Sequence, residues 1–344
     1  MNGAYEVTAK VTELEGLPPG LLERPARELY QVLDGPTLIH LPGRQAEPLL
    51  VTVLTHGNED TGWEAVRTLL GRYAGQPLPR ALSVFIGNVA AARHGLRHLD
   101  GQPDYNRVWR GDATPEHAMM RQVVERMQAR DVFASIDIHH NTGLNPHDAC
   151  INRLERPFLH LATLFSRTVV YFIRPDSVQS MAFSRVCPAV TVECGKPGQT
   201  HGVEHVLDFV EAVLHLTAFP EHEVPTQDYD LFHTVATVTV PAEMDFGFDA
   251  ALGNDLVFPP DIDRLNFREL PAGTALARVR DTRAWLEVRD EEGHEVSDRY
   301  FVREEGELRT RIPVMPSMLS LDERVIRQDC LCYLMERLPG GTIV

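Results

Sequence analysis

The stretch Leu49-Leu50-Val51-Thr52-Val53-Leu54-Thr55-His56-Gly57-Asn58-Glu59-Asp60 decides the fold. Its apolar half, Leu49 to Leu54, reads as a buried strand. From Thr61 the period changes: Trp63, Val66, Leu69, Leu70 and Tyr73 recur at three- and four-residue steps, one face of an amphipathic helix. His56 and Glu59 therefore stand on the turn leaving the carboxyl end of a strand, where open α/β sheets place their ligands. Gly57 lets the backbone bend between them without a Cβ penalty.

The same alternation continues outward. Ala81 to Asn88, Val132 to His140, Val169 to Ile173 and Ala189 to Cys194 read as further strands. Thr114-Pro115-Glu116 opens a helix with a hydroxyl cap, a first-turn proline and an acid. Pro157 to Phe165 and Val203 to Leu216 are predicted helices, and residues 1 to about 45 an edge of the sheet. Strands alternating with helices argue for an α/β fold: a mixed, largely parallel sheet with helices on both faces. Near residue 224 the pattern becomes strand-like and is broken by Pro, Gly and Asp. The expected organisation is a catalytic domain over 1–224 and a smaller β-rich domain over 225–344.

Composition bounds the function. A net charge of −16 opposes binding to nucleic acid or to an anionic membrane surface, since both need a positive field. No apolar run approaches the ~20 residues of a membrane-spanning helix. The first residues, Met1 to Glu6, lack the basic and apolar segments of a signal peptide. Five cysteines without zinc-ribbon spacing suggest reduced thiols, hence a cytoplasmic protein. Self-association is left open.

An imidazole and a carboxylate on one turn need only a second histidine to form a catalytic zinc site of the His₂Glu type. The strand Val132 to His140 offers one: alternation puts Asp137 and His139 on one side, Ile138 and His140 on the other. Glu193 lies inside the apolar run Ala189 to Cys194, where an unpaired carboxylate is costly and its pKa is raised toward the range of a general base. Arg97 and Arg107 bracket a turn-rich stretch between two strands that end in candidate ligands.

In order, the chain holds His56-Gly57-Asn58-Glu59, Gly87-Asn88-Val89-Ala90-Ala91 with Arg97, Asp104-Tyr105-Asn106-Arg107, Asp137-Ile138-His139 and Thr191-Val192-Glu193-Cys194-Gly195. This series resembles the succinylglutamate desuccinylase/aspartoacylase family of the zinc carboxypeptidase superfamily over residues 45 to 215. The resemblance implies one zinc ion per chain on His56, Glu59 and His139, with Glu193 as general base and Arg97 stabilising the oxyanion. It further implies that Asn106 and Arg107 grip the α-carboxylate of a small anionic N-acyl amino acid and that Asp104 orients His56. Arg185 lies near the position where relatives hold an arginine for a second carboxylate, at a shorter spacing from Glu193. It is weighed evenly against a surface charge.

Two departures touch specificity. His140-Asn141-Thr142-Gly143 follows the zinc-strand histidine where relatives show polar residues, and the C-terminal tyrosine of aspartoacylases has no counterpart in Arg311 to Met318 or at Tyr300. The implied activity is hydrolysis of the amide bond of an N-acyl amino acid. The rival readings are a carboxypeptidase-like peptidase or esterase, and a non-catalytic zinc- or ligand-binding protein. His201 and His205 are expected at the surface, and Cys194 as a structural thiol.

Overall fold

The computed structural model describes residues 10–140, 143–196, 200–249, 253–280 and 283–339. The amino-terminal segment considered above and the Asn141-Thr142 departure lie outside the described residues. Two compact units are formed: one holds 10–140 and 147–230, the other 143–146 and 231–339. The chain thus leaves the first unit after His140 and re-enters it at His147.

In chain order the first unit comprises β1 (Thr12–Glu15), β2 (Thr37–Leu41), β3 (Gly43–Val53), α1 (Thr61–Arg72), β4 (Leu78–Ile86), α2 (Val89–Ala92), α3 (Pro115–Gln128) and β5 (Ala134–His139). It continues with β6 (Asp148–Ile151), α4 (Arg156–Phe165), β7 (Thr168–Tyr171), α5 (Gln179–Phe183), β8 (Ala189–Glu193) and α6 (Thr200–His215). The strand order is β1-β2-β4-β3-β5-β8-β6-β7. The central strands β4, β3, β5 and β8 run parallel, and antiparallel pairings occur at β2–β4 and β8–β6. The largely parallel sheet expected from the sequence is present, with β1 and β2 at its edge.

The β3 residues Leu49, Leu50, Val51 and Val53 are fully buried, as a strand covered on both faces requires. In α1, Trp63, Val66, Leu69 and Leu70 face inward, and Trp63 Nε1 donates to the Arg24 carbonyl at 2.8 Å. The strand leaves the sheet through Leu54, whose φ of 57° lies in the left-handed region. Gly57 then passes so close to α2 that a Cβ would stand 2.2 Å from Ala92 N and 2.4 Å from the Ala91 carbonyl carbon. Close backbone approach, rather than a left-handed φ, is what requires glycine there.

Arg80 on β4 is 1% exposed. Its Nη1 donates to the Glu47 carbonyl at 2.7 Å and Nη2 to the Leu216 carbonyl at 2.9 Å and to Gln45. Its guanidinium lies 3.7 Å from the centroid of the Phe133 ring, tying the end of α6 to the sheet. The strand β6 has no counterpart in the sequence reading. Four residues carry too little periodicity to announce a strand.

The second unit is β-rich. Its strands are β9 (Asp230–Thr239), β10 (Phe246–Gly247), β11 (Leu256–Val257), β12 (Ala275–Val279), β13 (Glu287–Asp290), β14 (Phe301–Glu304), β15 (Glu307–Thr310), β16 (Met315–Ser317) and β17 (Cys332–Leu338). One sheet runs β10-β11-β12-β15-β14, while β9 pairs with both β13 and β17, and β17 with β16. Val238, Leu256, Phe258, Leu286, Phe301 and Leu308 form its core, which also buries Tyr300. Among the described residues of the chain, no helix is long and apolar enough to cross a membrane.

Because the space beside Gly57 is occupied by backbone, Gly57→Ala is expected to cost about 1–3 kcal/mol of stability through overpacking. Denaturant unfolding with an unchanged m-value measures it, and a wild-type midpoint would mean that α2 moves aside freely.

Candidate active site

Three elements deliver the central cluster. The turn after β3 carries His56 and Glu59, the end of β5 carries His139, and the stretch between α2 and α3 carries Arg97, Asp104, Asn106 and Arg107. His56 Nδ1 lies 2.8 Å from Glu59 Oε1, and His139 Nδ1 lies 2.8 Å from Glu59 Oε2. The two Nδ1 atoms are 3.2 Å apart. All three side chains are buried.

The outer ring nitrogens face carboxylates. His56 Nε2 is 3.0 Å from Asp104 Oδ1, and His139 Nε2 is 2.9 Å from Asp137 Oδ2. A carboxylate at Nε2 lets each ring keep a proton on that side and offer Nδ1 to a cation. Asp104 is held in turn by Arg97, whose Nε and Nη2 donate to Oδ2 at 3.2 and 2.9 Å, and by the Asn106 N–H at 2.7 Å from Oδ1.

The charges respond to this packing. Burial works to raise the Glu59 carboxyl, but the His56 and His139 rings outweigh it and hold Glu59 well below its ordinary value. Burial likewise opposes charge on His139, yet Asp137 and Glu59 raise it well above the usual imidazole range. Asp104 is held low, against its own burial, by His56 and Arg97. Two Nδ1 atoms and a carboxylate converging on one point form a donor set that could hold a metal ion in place of the ring protons. One ligand atom from each of the three residues lies within 4.8 Å of the others.

The supporting loop is fixed by backbone and amide contacts. The Gly57 N–H donates to the Arg97 carbonyl at 3.0 Å. Asn88 Oδ1 accepts from the Ala91 N–H at 3.0 Å, and Asn88 Nδ2 donates to Gln102 Oε1 at 2.9 Å. Asn88 is therefore a scaffold residue, and Gln102, absent from the sequence reading, is its partner. Asn106 Nδ2 lies 3.4 Å from His139 Nε2, placing Asn106 beside the cluster. Arg107 is half-buried, and its Nη1 donates to the Asn106 carbonyl at 3.0 Å.

Glu193 closes the carboxyl end of β8, directly opposite His139 in the parallel ladder with β5. It is 8% exposed, and its Oε2 has no hydrogen-bond partner within the protein. Burial raises its pKa to about 8. On its other side, in the antiparallel ladder with β6, stands Asp148. Nothing in the sequence singled out Asp148: alternation assigns a residue to a face but does not say which strand lies next to which.

The remaining candidates lie away from the cluster or play other parts. Arg185 is exposed and precedes the amino end of β8, the end opposite Glu193. His140 is buried with both ring nitrogens unpartnered, and its Nε2 is 3.9 Å from Asp60 Oδ1. Cys194 donates to the His139 carbonyl through both N–H and Sγ, at 2.9 and 2.8 Å, a structural part. His201 is exposed, whereas His205 is half-buried and sits 2.7 Å from the Phe165 carbonyl oxygen through Nε2.

Comparison with known proteins supports the sequence resemblance. The catalytic-domain profile of the succinylglutamate desuccinylase/aspartoacylase family matches residues 45–220. No curated protein sequence matches the chain. Among solved structures, succinylglutamate desuccinylase from Chromobacterium violaceum aligns with a TM-score of 0.56 at 18% identity, covering 87% of each chain. The Vibrio parahaemolyticus succinylglutamate desuccinylase gives 0.57 at 14%, covering 86% of this chain and 83% of that one. Murine aminoacylase 3 gives 0.53 at 15%, covering 86% and 95% respectively. With the profile spanning half of its length, the chain belongs to the succinylglutamate desuccinylase/aspartoacylase family, and it is a hydrolase of linear amide bonds.

Proposed function

We propose that the protein is a zinc-dependent deacylase that hydrolyses the amide bond of a small N-acyl amino acid. The observation that carries this reading is the convergence of His56 Nδ1, His139 Nδ1 and both Glu59 oxygens, with Asp104 and Asp137 behind the rings. That donor set fits Zn²⁺: imidazole and carboxylate ligands, each histidine backed by an acceptor on its outer nitrogen. His56, Glu59 and His139 would hold the ion. When bound, zinc supplies Lewis acidity that polarises the scissile carbonyl and acidifies water.

The chain's own residues supply the remaining chemistry. Glu193 is beside His139, buried and with a bare oxygen, the position from which a general base takes a proton from water. The same carboxyl then returns the proton to the leaving amine. Arg97, clamped by Asp104, presents a fixed guanidinium to the negative charge that develops on the carbonyl oxygen. Asn106 and Arg107 are next to the cluster and offer hydrogen bonds to the substrate's α-carboxylate. The burial of these groups favours electrostatic stabilisation, because fixed dipoles act more strongly out of water.

Glu193→Gln is expected to lower kcat by about 10²–10⁴-fold while leaving bound zinc, measured by elemental analysis, unchanged. An unaltered rate would remove Glu193 from the mechanism. Asp137→Asn should weaken zinc binding by roughly 10–100-fold in a competition with a chromophoric chelator, because the outer ring contact is lost. Exhaustive chelation should abolish hydrolysis of N-acyl amino acids, and added Zn²⁺ should restore it. Faster turnover of blocked dipeptides or esters than of N-acyl amino acids would point to the peptidase or esterase reading. Zinc binding without turnover of any of them would point to a ligand-binding protein.

A further inference from the structure

The ladders that place Glu193 also place a second carboxylate that the mechanism above does not use. His139 pairs with Glu193 across β5–β8, and Glu193 pairs with Asp148 across β8–β6. Residues directly opposite in a ladder point to the same face, with Cβ atoms about 4.5–5.5 Å apart. His139, Glu193 and Asp148 therefore form a row across three neighbouring strands on one face. Because β6 starts where β8 ends, the row follows the sheet edge that carries the candidate ligands.

Asp148 is 3% exposed. Its Oδ2 accepts a hydrogen bond from Cys150 Sγ at 3.4 Å, while its Oδ1 has no partner within the protein. Glu193 Oε2, on the neighbouring strand, also has none. An unpaired acceptor at this depth is costly, and two on adjacent strands more so, unless a donor arrives from outside the chain. A hydroxyl or amide donor would satisfy one oxygen. A protonated amine carries three donors and a positive charge, and so answers the unpaired oxygens and favours the ionised form of the carboxyls beside it.

Resting on the deacylase reading, we infer that Asp148 is a specificity-determining residue that receives a cationic side chain of the N-acyl amino acid. Distance selects the length of that side chain. The scissile amide is held between the His56/Glu59/His139 cluster and Glu193, and Asp148 lies one strand spacing beyond, about 5 Å. Two to four methylenes bridge such a gap, as in ornithine or lysine. The substrate is then a zwitterion: its α-carboxylate goes to the Asn106–Arg107 side and its ammonium to Asp148. Burial raises the Asp148 carboxyl to about 7, and an adjacent ammonium favours its ionised form.

The test compares isosteric pairs with the acyl group held constant: Nα-acetylornithine against N-acetylnorvaline, and Nα-acetyllysine against N-acetylnorleucine. In the wild-type zinc enzyme, kcat/KM should favour the cationic member at least about tenfold. Asp148→Asn should reduce that ratio to near one, with thermal melting reporting whether the variant is folded. Binding of free ornithine and norvaline by calorimetry gives a readout that needs no turnover, and the same preference and its loss are expected. Equal treatment of both members by the wild-type protein overturns the inference while leaving the deacylase reading intact. So does an Asp148→Asn variant that slows both members in proportion, the signature of a proton store for Glu193. Hydrolysis of none of the four, with ornithine still bound preferentially, would instead count against the deacylase reading and for the cation site.

Discussion

A single carboxylate shared by two imidazoles organises the first unit. Each oxygen of Glu59 faces one Nδ1 at 2.8 Å, and the rings themselves come within 3.2 Å. Such an arrangement is tolerable only because the outer nitrogens are also committed, to Asp104 and to Asp137. Removing one partner from a buried charged cluster leaves the others uncompensated, at a cost of several kcal/mol. The turn after β3, the end of β5 and the loop around Asp104 are thereby obliged to meet.

Two kinds of framework enforce that meeting. On one side it is the sheet: the β5–β8–β6 register sets His139, Glu193 and Asp148 in line, and a one-residue slip would turn each of them to the opposite face. The paired contacts from Cys194 to the His139 carbonyl close the ladder at its working end. On the other side it is a loop, which lacks a ladder and is pinned by discrete contacts instead. The Gly57–Arg97 backbone bond and the Asn88–Gln102 amide pair hold Arg97 and Asp104 where the histidine needs them.

Much of this was legible before any coordinates, and the boundary of legibility has a physical cause. His56 and Glu59 were readable because a change from strand to helix period marks a turn, and local spacing then fixes who shares it. Asp137 and His139 were readable because alternation within one strand is a local property. Asp148 was not, since its meaning depends on β6 lying next to β8, a pairing made across more than forty residues of chain. Arg80 was hidden for the same reason: its partners Glu47, Phe133 and Leu216 are distant in sequence. Nor does any local pattern announce that residues 143–146 join the second unit before the chain returns at His147.

The buried carboxyls divide into two groups by the direction in which their surroundings move them. Glu59 is held well below its ordinary value by the His56 and His139 rings and Asp104 by His56 and Arg97, whereas Asp148 and Glu193 are pushed up by burial to about 7 and about 8. Carboxyls whose environments drive their pKa values apart are suited to different tasks. The first pair is held toward the ionised form and fixes geometry; the second keeps bare oxygens, as the proposed roles of Glu193 and Asp148 require. Arg80 shows what this fold does with a buried charge meant only for stability: it donates to backbone carbonyls and lies against an aromatic face. Glu193 and Asp148 receive no such satisfaction. A sheet edge that leaves an unpartnered oxygen on each of two acidic groups, beside a candidate cation site, bears a cost in stability that the proposed proton transfer and substrate binding would offset.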